Sequence, residues 1–153
     1  MLDLKLNSAE DTDAFGRRLG ALLHAGDVVI LSGSLGAGKT AMTKGIAAGM
    51  GVIGLVTSPT FVIARVHPAG EEGRPGLVHV DAYRLSGPLE LDDLDLDSDL
   101  ERAAVVVEWG EGVAERLAGD HLVVTLERLP DDTRRAQLRG VGQFWEQRLA
   151  QLS

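Results

Sequence analysis

The sequence contains no cysteine, so disulfides and thiolate metal sites are excluded, which suits a reducing compartment. Asparagine occurs only as Asn7, and an Asn-Lys-x-Asp-like base reader for guanine is therefore missing. No apolar run approaches the 18 residues of a membrane span. The N-terminus, MLDLKLNSAED, has no basic patch followed by an apolar stretch, so no signal peptide is expected and the expected location is cytoplasmic. Positive charge is scarce: the net charge is −8, and only Arg17-Arg18 and Arg134-Arg135 are adjacent basic pairs. That balance argues against a free-standing nucleic-acid binder, whose affinity would come from clustered Lys and Arg. The histidines at 24, 67, 79 and 121 show no i, i+4 pairing and hence no zinc spacing. At 153 residues and 44% hydrophobic, the chain fits one domain, 1–153, with room for a core but not for a second domain.

What is present is organised around Val28 to Thr43, VVILSGSLGAGKTAMT. A short apolar run feeds a glycine-rich loop ending in Lys-Thr, which reads as strand, phosphate loop and helix. Gly33, Gly38, Lys39 and Thr40 fill the pattern G-x-x-x-x-G-K-[ST]. Glycines let the backbone reach positive φ and approach an anion closely, so that the N–H groups of Gly33, Ser34, Leu35, Gly36, Ala37, Gly38, Lys39, Thr40 and Ala41 can converge on phosphates. Lys39 offers a point charge for β/γ oxygens, the Thr40 hydroxyl can ligate Mg²⁺, and the helix that starts here adds its positive N-terminal end. The same stretch also satisfies G-x-G-x-x-A through Gly36, Gly38 and Ala41. The dinucleotide fold that this pattern marks wants an acid at the end of the next strand, and Val56 to Ile63 contains none.

Around this loop, Leu2, Leu4 and Leu6 alternate with polar residues as in a short edge strand. Asn7 and Ser8 can cap a helix running to about His24, with Phe15, Leu19, Leu22 and Leu23 on its buried face. Gly26-Asp27 turns the chain into the Val28 strand. After the loop, Met42, Ile46 and Met50 share one side of a helix that Gly51 can close. Thr57-Ser58-Pro59-Thr60-Phe61 precedes a β-rich Val62 to Val66, and beside a nucleotide Thr60 could act as a switch hydroxyl; a rigid loop before a strand is the plainer reading. His67 to Gly76 reads as a mobile connection. Leu122 to Leu126 and the alternating Arg134 to Val141 read as strands, and Trp145, Leu149 and Leu152 as the inner face of a C-terminal helix. The expected fold class is α/β: a P-loop NTPase-like three-layer sandwich with a mainly parallel sheet, an antiparallel part at the Phe61–Asp81 pair, and helices on both faces.

Two apolar runs end in an acid, Leu77 to Asp81 and Ala104 to Glu108. An acid at the carboxyl end of a buried parallel strand shares the crevice of a phosphate loop and lies within reach of its metal ion. Trp109 follows at the same end, where core packing is the commoner fate of tryptophan. Between the runs, Glu90 to Glu101 interleaves leucines with acids as an amphipathic helix would. A calcium loop starting at Asp93 fails, because Ser98 stands where glycine is needed and Ala104 where a bidentate glutamate is needed. Arg84 or Arg134 could add charge to a transition state, with surface pairing as the plain alternative.

GSLGAGKT, SPTF, HVDAYRL and VVVEWGE, in this order and spacing, resemble the TsaE family of bacterial tRNA threonylcarbamoyladenosine biosynthesis ATPases, over about Asp27 to Glu111. The resemblance implies a small ATPase that uses ATP and Mg²⁺ and works with TsaB- and TsaD-like partners, meeting tRNA only through that complex. It implies Lys39 on the phosphates, Thr40 and Glu108 on Mg²⁺, Asp81 as a further metal partner or the group orienting water, and Thr60 as the switch hydroxyl. It also puts the N-terminal segment near Thr12 by the adenine. Trp109, from its place after Glu108, and Arg134, as an extra charge, join the candidate nucleotide contacts. Ser34 stands where the family often has Asp, and Ala41 where a second Thr is usual. Two rival classes share the loop. A small-molecule kinase would need a lid with several arginines, and Arg65, Arg74 and Arg84 are too scattered to make one. A nucleotide-gated binding module is not separable from an ATPase on sequence.

Overall fold

β2 (Val28–Gly33) is the strand the sheet is built on, and the reason is its composition. Val28, Val29, Ile30 and Leu31 are all fully buried, and only a strand covered on both faces can hide four consecutive apolar side chains. The computed structural model describes residues 2–33, 37–52, 64–71, 73–81, 102–108 and 120–152. In chain order the described elements are β1 (Leu2–Leu6), α1 (Ala9–Leu22), β2, α2 (Lys39–Met50), β3 (Ala64–His67), β4 (Gly76–Asp81), β5 (Ala103–Glu108), β6 (His121–Arg128), β7 (Arg134–Val141) and α3 (Gln143–Leu152). They form one seven-stranded sheet in the order β1-β7-β6-β2-β5-β4-β3.

The four central strands β6, β2, β5 and β4 run parallel, and the outer pairings β3–β4, β6–β7 and β7–β1 are antiparallel. The antiparallel part expected on the β3 side is therefore matched by a second one on the other side. The sequence patterns follow this placement. β5 is apolar until Glu108 and buried throughout, whereas β1 and β7 alternate because each is covered on one face only.

All three described helices pack on one face of the sheet. Phe15, Leu19, Met42, Ile46, Trp145 and Leu149 form a single apolar cluster with Val29, Leu31, Leu77, Val106, Val124 and Leu138 from the strands. On the opposite face Val28, Ile30, Val78, Val80, Val105 and Val107 are buried as well. Each fully buried aliphatic side chain of this kind contributes about 1.5–3 kcal/mol.

α1 begins where its capping residues dictate. Ser8 Oγ accepts from the Asp11 N–H, and the Asp11 carboxylate accepts from the Asn7 N–H in return, a reciprocal arrangement that satisfies two backbone donors at the helix start. The helix ends at Leu22, short of the expected His24, because Leu23 is already extended. Leu22 is only half-buried, and the buried stripe includes Gly16 and Gly20 in its place.

The glycines have a packing reason: a Cβ on Gly20 would stand 2.1 Å from the Ile46 carbonyl oxygen, and one on Gly49 would stand 2.1 Å from that of Arg17. The α1 and α2 backbones thus touch directly. α2 is closed at Gly51, whose N–H bonds back to the Ala47 and Ala48 carbonyls. β3 takes in the described end of the expected Val62–Val66 strand and runs on to His67, with Val62 and Ile63 outside the described residues, while the connection to β4 stops short of Gly76, which is already strand. The expected helix at Glu90 to Glu101 lies outside the described residues.

Candidate functional site

The carboxyl ends of β2, β4 and β5 come together at one edge of the sheet. Parallel register sets Leu31 opposite Glu108, and Glu108 opposite Asp81, so the chain leaving β2 enters its glycine-rich turn beside the two acids that end their strands. Gly33 closes β2 at φ +144°, where a Cβ would stand 2.4 Å from the Leu126 carbonyl oxygen on the neighbouring β6. Only glycine fits there. Gly38 then takes a left-handed conformation at φ +104° and caps α2 without a side-chain hydrogen bond. The first-turn N–H groups of α2 are therefore not covered by a capping side chain, as an anion site at a helix start needs.

Lys39 is buried although charged, with 5% of its surface exposed. Its Nζ donates to the Gly33 carbonyl at 2.6 Å, which draws the ammonium back across the turn it belongs to. Thr40, in the first turn of α2, is half-buried, and Ala41 follows at the wall of a neighbouring cavity. The loop is braced from the far side of the sheet. Arg134, the first residue of β7, donates Nε–H to the Ala37 carbonyl at 3.1 Å and Nη1–H to the Asp132 carbonyl at 2.7 Å. Arg134 is thus tied to the backbone of the loop and of the β6–β7 turn.

The neighbouring cavity, of about 310 Å³, is lined by Ser8 and Thr12 from the start of α1, by Gly38 and Ala41, and by Arg128, Asp132 and Arg134 from the β6–β7 hairpin. Thr12 is buried, and its hydroxyl donates to the Ser8 carbonyl at 3.3 Å. The residue carried over on resemblance alone therefore does face the turn that holds Gly38. Asp132 has φ +66°, unusual for a non-glycine residue. It is held by its ion pair with Arg128 at 2.6 Å, and the Arg128 hydrogen bond keeps the Asp132 carboxyl below its ordinary value of 3.8. Ser8, Arg128 and Asp132 were not singled out by the sequence, because nothing in their local spacing points at a turn thirty or more residues away.

A second relationship was also missed. Glu108, 5% exposed at the end of β5, accepts a hydrogen bond from Nε2 of the fully buried His79 on β4. A search for zinc spacing passes over His79, which reaches Glu108 only because parallel register sets it beside Val106, two residues before that acid on the same face of the sheet. Of the other expected site residues, Ser34, Leu35, Gly36, Thr60 and Trp109 lie outside the described residues. Asp81 is described by its backbone position alone.

The side chains that could offer a metal ion oxygens are the Thr40 hydroxyl at the start of α2 and the Glu108 carboxylate at the end of β5, with Asp81 in register beside Glu108. Among the described residues no group of three or more His, Asp or Glu could hold a metal ion by itself. Oxygen donors of this kind suit a hard ion such as Mg²⁺ better than Zn²⁺. Among the described residues no helix is long and apolar enough to cross a membrane.

Comparison with known proteins identifies the family and the fold. The family model of the threonylcarbamoyl adenosine biosynthesis protein TsaE matches residues 6–136. The tRNA threonylcarbamoyladenosine biosynthesis protein TsaE of Streptomyces coelicolor is 57% identical over 85% of this chain and 90% of its own length. That of Mycobacterium tuberculosis is 60% identical over 84% of this chain and 81% of its own, and that of Bacillus subtilis 37% identical over 94% and 89%. The crystal structure of Bacillus subtilis YdiB superposes with a TM-score of 0.80 at 31% identity, over 99% of this chain and 93% of the other. On these matches the chain belongs to the TsaE family of tRNA threonylcarbamoyladenosine biosynthesis proteins.

Proposed function

We propose that this chain binds ATP with Mg²⁺ at the Gly33–Thr40 turn and hydrolyses it to ADP and phosphate. In this reading the turnover serves threonylcarbamoyl modification of adenosine 37 in tRNA, in the cytoplasm, together with TsaB- and TsaD-like proteins. The observation that carries the reading is the convergence of a buried lysine, held at the Gly33 carbonyl by 2.6 Å, with the end of β5, where Glu108 stands in register with Asp81. A buried cation, an uncapped helix start and strand-ending carboxylates are what a polyphosphate and its ion require.

The residues divide the work. Lys39 neutralises charge on the β/γ oxygens, and the turn's N–H groups orient them. Thr40 and Glu108 hold the metal ion, whose chemistry is to screen the phosphate charge. Asp81 orients the attacking water. Thr12 and the hairpin residues Asp132 and Arg134 wall the cavity where the rest of the nucleotide lies. The chain has a net charge of −8, so its output reaches tRNA through protein partners rather than by direct binding.

Reconstitution tests this. Purified TsaB- and TsaD-like proteins, tRNA, ATP and a threonylcarbamoyl source are combined with and without this chain, and modified adenosine and released phosphate are measured. Modification that needs both the chain and hydrolysable ATP is expected, and modification that proceeds equally without it would refute the reading. Retention of tRNA by the isolated chain at physiological salt would count against the charge argument.

A further inference from the structure

Glu108 does not stand alone at the end of β5. Its Oε2 meets Nε2 of His79 in a buried contact, and since a carboxylate can only accept, the hydrogen between them belongs to Nε2. That leaves Nδ1, also buried, with no hydrogen-bond partner among the described residues. His79 pairs in register with Val106, two residues before Glu108, so the two side chains rise from the same face of adjacent strands, and the ring reaches across to the carboxylate. On either side of His79 the strand carries the buried valines Val78 and Val80. A histidine with one nitrogen unpaired is costly at a buried position that an aliphatic residue would fill without penalty. Packing alone does not account for it.

We propose that His79 is a positioning residue for Glu108: its Nε2–H holds one carboxylate oxygen, fixing the plane of the carboxylate so that the other oxygen is presented to the metal ion of the bound nucleotide. The inference rests on the reading of Glu108 as a metal partner. Carboxylates that ligate metals are held by hydrogen bonds of their own, and losing such a partner costs roughly 10–100-fold in metal affinity or activity. A single N–H donor also offsets part of the cost of desolvating the carboxylate before the ion arrives.

The test reads metal dependence by binding. A fluorescent ATP analogue is titrated with MgCl₂ in the wild type, His79→Leu, His79→Gln, Glu108→Gln and the His79→Leu/Glu108→Gln double variant, with thermal melts alongside. His79→Leu is expected to bind the analogue without metal as the wild type does, but to need roughly 10–100 times more Mg²⁺ for half-maximal effect. His79→Gln, whose amide keeps an N–H donor, is expected to recover most of that loss, and His79→Leu should add nothing in the Glu108→Gln background. A folded His79→Leu variant with the wild-type Mg²⁺ requirement overturns the proposal while leaving Glu108 in its role. A wild-type requirement in Glu108→Gln removes that role, and the proposal with it. If His79→Leu does not fold, the ring ¹⁵N shifts of His79 in the wild type decide. An Nε2–H tautomer whose shifts move on adding MgCl₂ with a non-hydrolysable ATP analogue supports the proposal, and unmoved shifts overturn it.

Discussion

Asp81 and Glu108 are register partners, the last residues of two adjacent parallel strands. Both should be replaceable by their amides without loss of fold, since an amide oxygen at 108 can still accept from His79. Single-turnover hydrolysis is expected to fall by about 100-fold or more in Asp81→Asn, with nucleotide binding nearly intact. Glu108→Gln should lose turnover and also need more Mg²⁺. Full activity in both variants would remove the carboxylates from the site.

Lys39 and Thr40 are adjacent but take different tasks in the proposed reading. Lys39→Ala deletes a buried charge-assisted donor worth about 1.5–3 kcal/mol, so ATP affinity should fall by roughly 10–100-fold. Thr40→Ala should change affinity little without metal and abolish most of the gain that Mg²⁺ brings. Calorimetric titration with and without Mg²⁺ separates the two, and an unchanged affinity in Lys39→Ala would contradict the assignment of the turn.

Alanine at Gly20 or Gly49 sets two effects against each other. Alanine favours helix over glycine by about 1 kcal/mol, yet each new Cβ would stand 2.1 Å from a carbonyl oxygen of the facing helix. Backbone cannot swing aside as a side chain can, so the overpacking cost of about 1–3 kcal/mol wins. Urea denaturation should show both variants less stable than the parent; a more stable variant would mean that the helices separate at little cost.

Acid should loosen the β7 side of the sheet and its turn. The Arg128 hydrogen bond lowers the Asp132 carboxyl, the Thr133 hydroxyl lowers Asp131, and Arg135 lowers Asp3, all from an ordinary 3.8. With folded values below unfolded ones, their stabilisation is fully present above 3.8 and is lost as pH falls from there through the lowered folded values. All three carboxylates are exposed, so the loss should shrink as salt screens the pairs. Urea midpoints measured on both sides of that pH, at low and high salt, check the sign; rising stability on acidification would contradict it.

How much of this was legible in the sequence depended on range. Local signals read well. Ser8 before an amphipathic pattern placed α1, strict alternation gave β7 its Arg134–Val141 span, and glycines 33 and 38 with Lys39 marked the turn. Leu22 packs against the core but is only half-buried, whereas Gly16 and Gly20, which carry no hydropathy signal, are buried against α2. The relationships around the candidate site are long-range: the Arg134–Ala37 and His79–Glu108 hydrogen bonds, and one cavity shared by Thr12 and Asp132. None has a periodicity, and only strand order and register bring these residues together.

The bare contact between α1 and α2 also bears on how the site opens. With no side chains between the backbones at Gly20 and Gly49, the helices have no rotamers to trade as they part, and they should open as one cooperative unit. One helix starts at the glycine-rich segment before Lys39 and the other carries Thr12 at the cavity wall. In amide hydrogen exchange the two should therefore share one opening free energy, and an anion held at the start of α2 should slow exchange along the whole of α1. The helix nearer the N-terminus thereby reports the occupancy of a turn it does not contain.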